Sequence, residues 1–269
     1  MHDPFPAITE SGATGETARL FADIRQVVGV RVVNLVWRHL ATMDGALAAA
    51  WNAVRPLYID GIVHAEALQF RTRMAVPRLA SLAGDEPPGV DAVLATYDHS
   101  NTINLFALGA LLEKLRGDSD AHEAPARGAR MPAPDLVLPP LLSESDVASG
   151  TWARVQRLNR MGDQEQPLIL ASMYRHLSNW PAFLERVEAT LAPAQQDGSL
   201  QRCIDENATA ARSRARVIAQ VIAQDNELPA LPRESGKKIE TAIAAFIDHA
   251  INKMVTICRA IRVARGTPL

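Results

Sequence analysis

Trp37-Arg38-His39-Leu40-Ala41-Thr42 and Tyr174-Arg175-His176-Leu177-Ser178-Asn179 are one pattern written twice, 137 residues apart. The same offset carries Asp60-Gly61 onto Asp197-Gly198. Upstream, Thr9-Glu10-Ser11 meets Ser143-Glu144-Ser145 at an offset of 134; downstream, Tyr97 meets Phe246 and Arg116-Gly117 meets Arg265-Gly266 at 149. The offset changes only across stretches that read as loops, as insertions into a duplicated unit would make it.

Around these anchors apolar residues recur at three- and four-residue spacing, and Ala, Leu, Arg and Glu dominate, so helix is the only regular structure the pattern supports. Helices are expected at Glu16–Val28, Val30–Ala41, Gly45–Leu57, Ile62–Leu82 and Val90–Leu115. A second set is expected at Asp146–Met161, Leu168–Leu177, Pro181–Leu191, Leu200–Ala223 and Ser235–Arg265. Between Gly117 and Pro140 five prolines (Pro125, Pro132, Pro134, Pro139, Pro140) block helix and mark a linker. The expected architecture is all-α: a first repeat of about five helices over 1–117, a linker over 118–141 and a second repeat over 142–269, paired about a pseudo-two-fold axis. Two such copies bury their apolar faces best against each other, which puts a cleft at the seam.

The 269 residues, 48% hydrophobic, suffice for a real core. With 28 Lys plus Arg against 30 Asp plus Glu, no basic footprint for nucleic acid or anionic lipid exists. No apolar run approaches the roughly 20 residues of a membrane span. No basic segment leads into an apolar stretch at the N-terminus, and Cys203 and Cys258 sit within apolar helical patterns, so the expectation is a cytoplasmic protein with reduced thiols. No Cys-x-x-Cys metal spacing is present, and neither metal nor cofactor is expected.

Arg38-His39-Leu40-Ala41-Thr42, Asn101 and Leu177-Ser178-Asn179-Trp180-Pro181, in this order around a linker, make the chain resemble the group I 2-haloacid dehalogenases over nearly its full length. The resemblance implies an all-helical pair of related repeats, a homodimer, and a site between the repeats for a small carboxylic acid. It also implies hydrolysis in which an aspartate activates a water that displaces halide from the α-carbon, without covalent intermediate or metal. The family's Ala-Ser-Asp stretch reads Ala171-Ser172-Met173 here, and a thioether accepts no proton from water. The resemblance makes Asn101 the residue that holds water or substrate and Ser172 the contact for the substrate carboxylate. It places Asn104 and Phe246 where the family carries an aromatic and a tyrosine, His249 in place of a phenylalanine, and Val32 and Leu35 in place of bulky aromatics.

Tyr97, Asn101 and Asn104 share one face of an otherwise apolar helix, which suits a ligand site, although Asn and Ser at 98–101 equally serve a helix break. Asp98, Asp248 and His249 are the candidates for a replacement acid or base, set against the plainer reading of a solvated helix face. The expected site is therefore Asn101, His249, Asp248 and Asp98 for chemistry and Ser172, Met173, Asn104, Tyr97, Leu35 and Phe246 for substrate. Arg38-His39 and Arg175-His176 recur in both copies, which favours bracing of the seam. Trp37, Trp51, Trp152 and Trp180 read as core anchors. Three functions follow: a divergent dehalogenase acting on a small α-substituted acid, other acid-base chemistry on the same scaffold, or a non-catalytic small-molecule binder.

Overall fold

A computed structural model describes residues 5–85, 87–118, 123–132, 136–162, 169–222 and 233–267, and every regular element among them is helical. The first half contributes α1 (Gly15–Val28), α2 (Leu35–Leu40), α3 (Ala46–Ile59), α4 (Ile62–Arg71) and the long α5 (Pro88–Arg116). The second contributes α6 (Ser149–Arg160), α7 (Ser172–Leu177), α8 (Pro181–Gln196), α9 (Ser199–Ala219), α10 (Arg233–Ala244) and α11 (Asn252–Ala264), with α10 and α11 joined by a π-helical segment, Ala245–Ile251. No described helix is long and apolar enough to cross a membrane.

Matched positions carry matched geometry. The six-residue helices α2 and α7 begin 137 residues apart. α3 and α8 each contain a proline, Pro56 and Pro193, whose carbonyl accepts the N–H of Asp60 and Asp197 at 2.8 and 3.0 Å. Gly61 and Gly198 follow, both with φ near 73°, a left-handed turn that only glycine takes without strain.

Three expected helices are cut back where a side chain from another part of the chain captures the backbone. The pattern Val30–Ala41 becomes α2 because Gly29 turns left-handed to end α1 and the Val33 N–H donates to Glu10 Oε1 at 2.8 Å. The pattern Ile62–Leu82 stops at Arg71: Pro77 cannot continue it, and the Asn207 amide clamps Ala75, accepting its N–H at 2.9 Å and donating to its carbonyl at 2.8 Å. Asn159 does the same across Ile169 and Ala171 at 3.1 and 2.9 Å, which delays α7 to Ser172. The expected starts and ends at Leu168 and Ala223 lie outside the described residues. So does part of the expected linker, whose described stretch 123–132 lies against α4, with the Ala126 N–H donating to Glu66 at 2.7 Å.

The halves do not keep separate cores. One cluster joins Phe21, Trp37, Trp51, Tyr58 and the C-terminal part of α5 (Phe106, Leu111) to Ile218 of α9 and to Ile243 and Phe246. The other joins Trp152, Tyr174, Phe183 and Met254 to the N-terminal part of α5 (Val93, Leu94, Tyr97). Each half therefore lends the first part of its last helix to the core of the other. This crossing brings the middle of α5 and the π segment together at the seam.

Candidate functional site

A cavity of about 50 Å³ lies at that seam. From the first half its wall takes Asn34, Leu35 and Val36 at the start of α2, with Tyr97 and Asn101 one turn apart on α5. From the second half it takes residues 169–173, Phe246, Ala250 and Ile251 of the π segment, and Met254.

The polar side of this wall is built by a hydrogen-bond ladder. Asn34 Nδ2 donates to Asn101 Oδ1 at 2.9 Å and to Ser100 Oγ at 3.2 Å. Asn101 is 7% exposed, with its Oδ1 engaged by Asn34. Asn34 Oδ1 is buried without a partner, and Ser172 Oγ is buried without a hydrogen bond of good geometry beside the Tyr97 hydroxyl. The Tyr97 hydroxyl and His176 Nδ1 lie 2.8 Å apart. Burial, helped by the charges of Arg175 and Arg38, pulls His176 down to about 4, so the imidazole is neutral near pH 7. Burial also raises the Tyr97 phenol, against the opposing pull of Arg38 and Arg175. The two guanidiniums are fixed by backbone carbonyls: Arg38 Nε donates to Val33 at 3.2 Å and Arg175 Nε to Leu142 at 2.7 Å.

The apolar side is closed by Met173, 1% exposed, and Met254. Phe246 completes it, backed edge-on by Phe5 and at a tilt by His39, with centroids 5.4 and 5.7 Å away.

Of the residues singled out from sequence, the cavity wall brings together Asn101, Ser172, Met173, Tyr97, Leu35 and Phe246. The remaining four lie elsewhere. Asn104 is one turn further along α5, under α2 and α3, where its Oδ1 accepts Trp37 Nε1 at 3.2 Å and the Tyr58 hydroxyl at 2.6 Å. Asp98 follows Tyr97 by one residue and so faces about 100° away. There its buried carboxylate pairs with Arg262 and stands 3.4 Å from Arg71 Nε. Because Phe246 and Ala250 face the cavity, Asp248 and His249 between them face outward, both exposed, and Asp248 accepts Arg116 at 2.9 Å. The polar stretch that continues from them is not uniformly solvated: Lys253 is buried and its Nζ donates to the Asn159 carbonyl at 2.6 Å.

Sequence reasoning missed Asn34, because a helix drawn from Val30 hides its place as the residue just before α2. It also missed Met254 and the apolar pair Ile169-Leu170, which carry no chemical signal.

No protein-family model matches the chain, and no curated protein sequence matches it. Solved structures do. A D-2-haloacid dehalogenase mutant superposes with a TM-score of 0.75 at 17% identity, covering 98% of this chain and 97% of that one. A D-2-haloacid dehalogenase mutant in complex with D-2-CPA gives 0.76 at 16% identity, and the complex with L-LA gives 0.77 at 17%, both with the same coverage. The fold is that of the D-2-haloacid dehalogenases. In this chain the described cavity wall holds no aspartate, glutamate or histidine side chain. Its only titratable group is the Tyr97 phenol. Among the described residues no cluster suited to a metal ion occurs.

Proposed function

We propose that the seam cavity binds a small α-substituted carboxylic acid, and that the chain holds this ligand rather than hydrolysing it at the α-carbon. The observation that carries the reading is the wall itself: hydrogen-bonding groups without a base. Direct water attack requires a group that takes the water's proton. The resemblance puts that aspartate at Met173, whose thioether cannot do it. A carboxylate ligand is favoured by Arg38 and Arg175, which stand behind the wall and whose charges reach Tyr97 and His176 and outweigh that of Glu10 at Tyr97, while no acid lines the wall. Asn101, Ser172 and Tyr97 are placed to orient it. At about 50 Å³ the cavity is well below the roughly 150 Å³ that admits benzene, so Met173 and Met254, flexible unbranched side chains, give way as the ligand enters. In this reading 1–117 and 142–269 are two copies of one unit, supported by the matched helices, prolines and glycines, and the site uses the positions at which the copies differ.

One observation favours a second reading in which hydrolysis survives. The Tyr97–His176 contact could pass a proton from a water to the imidazole. Thermal stability and halide release are measured with racemic 2-chloropropionate for wild type and Met173→Asp. The expected result is a raised Tm without halide release for wild type, and halide release from the variant alone. Halide release by wild type would replace binding with the second reading, and the absence of both halide release and any effect of the acid on Tm would sink both.

A further inference from the structure

His64 of α4 is 1% exposed, and both of its ring nitrogens are buried without a hydrogen-bond partner among the described residues. A neutral imidazole carries one donor and one acceptor, so this side chain forfeits two hydrogen bonds where a phenyl ring would forfeit none. A state that gave the ring water would recover both. The ionisable groups that act on it come from three elements: His99 of α5, with ring centroids 5.9 Å apart, Arg71 at the end of α4, and Arg130 of the 123–132 segment. His99 donates from Nε2 to the Val28 carbonyl at 3.0 Å. The Asp98 carboxylate pairs with Arg262 and stands 3.4 Å from Arg71 Nε, and Arg71 also feels the charge of Arg259. A proton on His64 would add a cation beside Arg71 and Arg130, and the Asp98 carboxylate already serves two guanidiniums.

Of these neighbours Arg130 is the one free to leave. Arg71 is held in the core, its side chain 12% exposed. Arg130 is exposed, on a stretch without regular structure. A few contacts tie that stretch down. Arg130 donates to the Val27 carbonyl, the Ala126 N–H donates to Glu66 at 2.7 Å, Met131 Sδ accepts Arg71 Nη1 at 3.2 Å, and Glu123 pairs with Arg214 at 2.6 Å. The Gly128 carbonyl occupies the space that a β-carbon at Gly61 would need, so the stretch crosses the first turn of α4, on which His64 lies.

We propose that 123–132 is an acid-released strap: a proton taken up by His64 drives Arg130 off its seat at the end of α1 and lifts the strap from α4, while the helices stay folded. The device is independent of the seam cavity, and it is a local opening biased by a buried histidine. Burial, with the charges of His99, Arg130 and Arg71, pulls His64 down to about 4, below the ordinary 6.5. The lifted state therefore binds the proton first as pH falls. The closed strap keeps its full strength above pH 6.5 and loses it between 6.5 and 4. With His64 back at its ordinary value once the strap lifts, the opening constant at pH 5 is about thirty times that at pH 7.5.

The test is amide hydrogen exchange of the full chain followed by NMR, each rate referred to the intrinsic rate at the same pH. The expected result is a rise of about thirtyfold in the opening constant of the Ala126 amide between pH 7.5 and pH 5, with the Phe106 amide of α5 the more strongly protected at both. His64→Phe, which fills the same space without orphaned nitrogens, should abolish the rise, and His176→Phe should keep it. Arg130→Gln, on an exposed side chain, should lessen it. The proposal is overturned if the Ala126 opening constant changes less than about threefold in wild type, if His64→Phe and Arg130→Gln both keep the wild-type dependence, or if Ala126 and Phe106 open together as one unit.

Discussion

The two walls of the seam cavity occupy matched positions and carry opposite chemistry. At the start of the short helices the first half places Asn34 and the second Ala171; on the long helices Tyr97 and Asn101 face Phe246 and Ala250, each pair 149 residues apart. The first-half wall is a hydrogen-bonded ladder, and the second-half wall is hydrocarbon and thioether with Ser172 as its polar group. One fold thus carries a hydrogen-bonding face and a largely apolar face, because the backbone sets where side chains point and leaves their chemistry free.

Removing the support beneath the polar wall should have the largest effect. Asn104→Ala leaves the buried Trp37 Nε1 and Tyr58 hydroxyl without an acceptor and opens space beneath α2. A loss of about 4 kcal/mol in urea unfolding is expected, and under 1 kcal/mol would remove Asn104 as the brace.

Next comes the pair of left-handed glycines. A β-carbon at Gly61 would run into the carbonyl oxygen of Gly128, whereas at Gly198 it meets only the flexible end of Arg202 at 3.3 Å. Gly198→Ala should cost about 1–2 kcal/mol, the left-handed penalty, and Gly61→Ala about 3 kcal/mol. Equal costs would show that the 123–132 segment does not press on Gly61.

His176 supplies a pH signature. Its folded pKa of about 4 lies below the ordinary 6.5, so the unfolded chain binds the proton first as pH falls. The contribution is intact above pH 6.5 and is lost between 6.5 and 4, amounting to about 2–3 kcal/mol. His64, buried and also depressed to about 4, titrates in the same window. Urea unfolding at pH 7.5, 6 and 4.5 should therefore be less steeply pH-dependent in His176→Phe than in wild type, and an unchanged slope would contradict a neutral buried imidazole beside Tyr97.

The smallest effect is on the ligand. Asn101→Leu should weaken 2-chloropropionate binding about tenfold, as for one hydrogen bond to a charged group, with little change in fold. Ala250→Ser, at the matched place on the other wall, should leave affinity within about twofold of wild type. A larger change there would mean that the ligand reads both walls.

The sequence by itself determined the helical class, the recurrence at an offset of 137 and the shared helix face of Tyr97 and Asn101, because side-chain periodicity and turn glycines are local properties of the chain, whereas Leu35, Ser172, Met173 and Phe246 were named by the family resemblance. Tertiary structure decided what those signals leave free. Glu10, Asn159 and Asn207 cut three helical patterns short by offering hydrogen bonds from residues distant in the chain. The π segment turned Asp248 and His249 outward while keeping Phe246 inward, and the ion pairs with Arg71 and Arg262 drew Asp98 away from the cavity. A residue type announces what chemistry it can do, but which way a carboxylate points and what neutralises it depend on contacts that form only when the halves exchange the ends of their long helices.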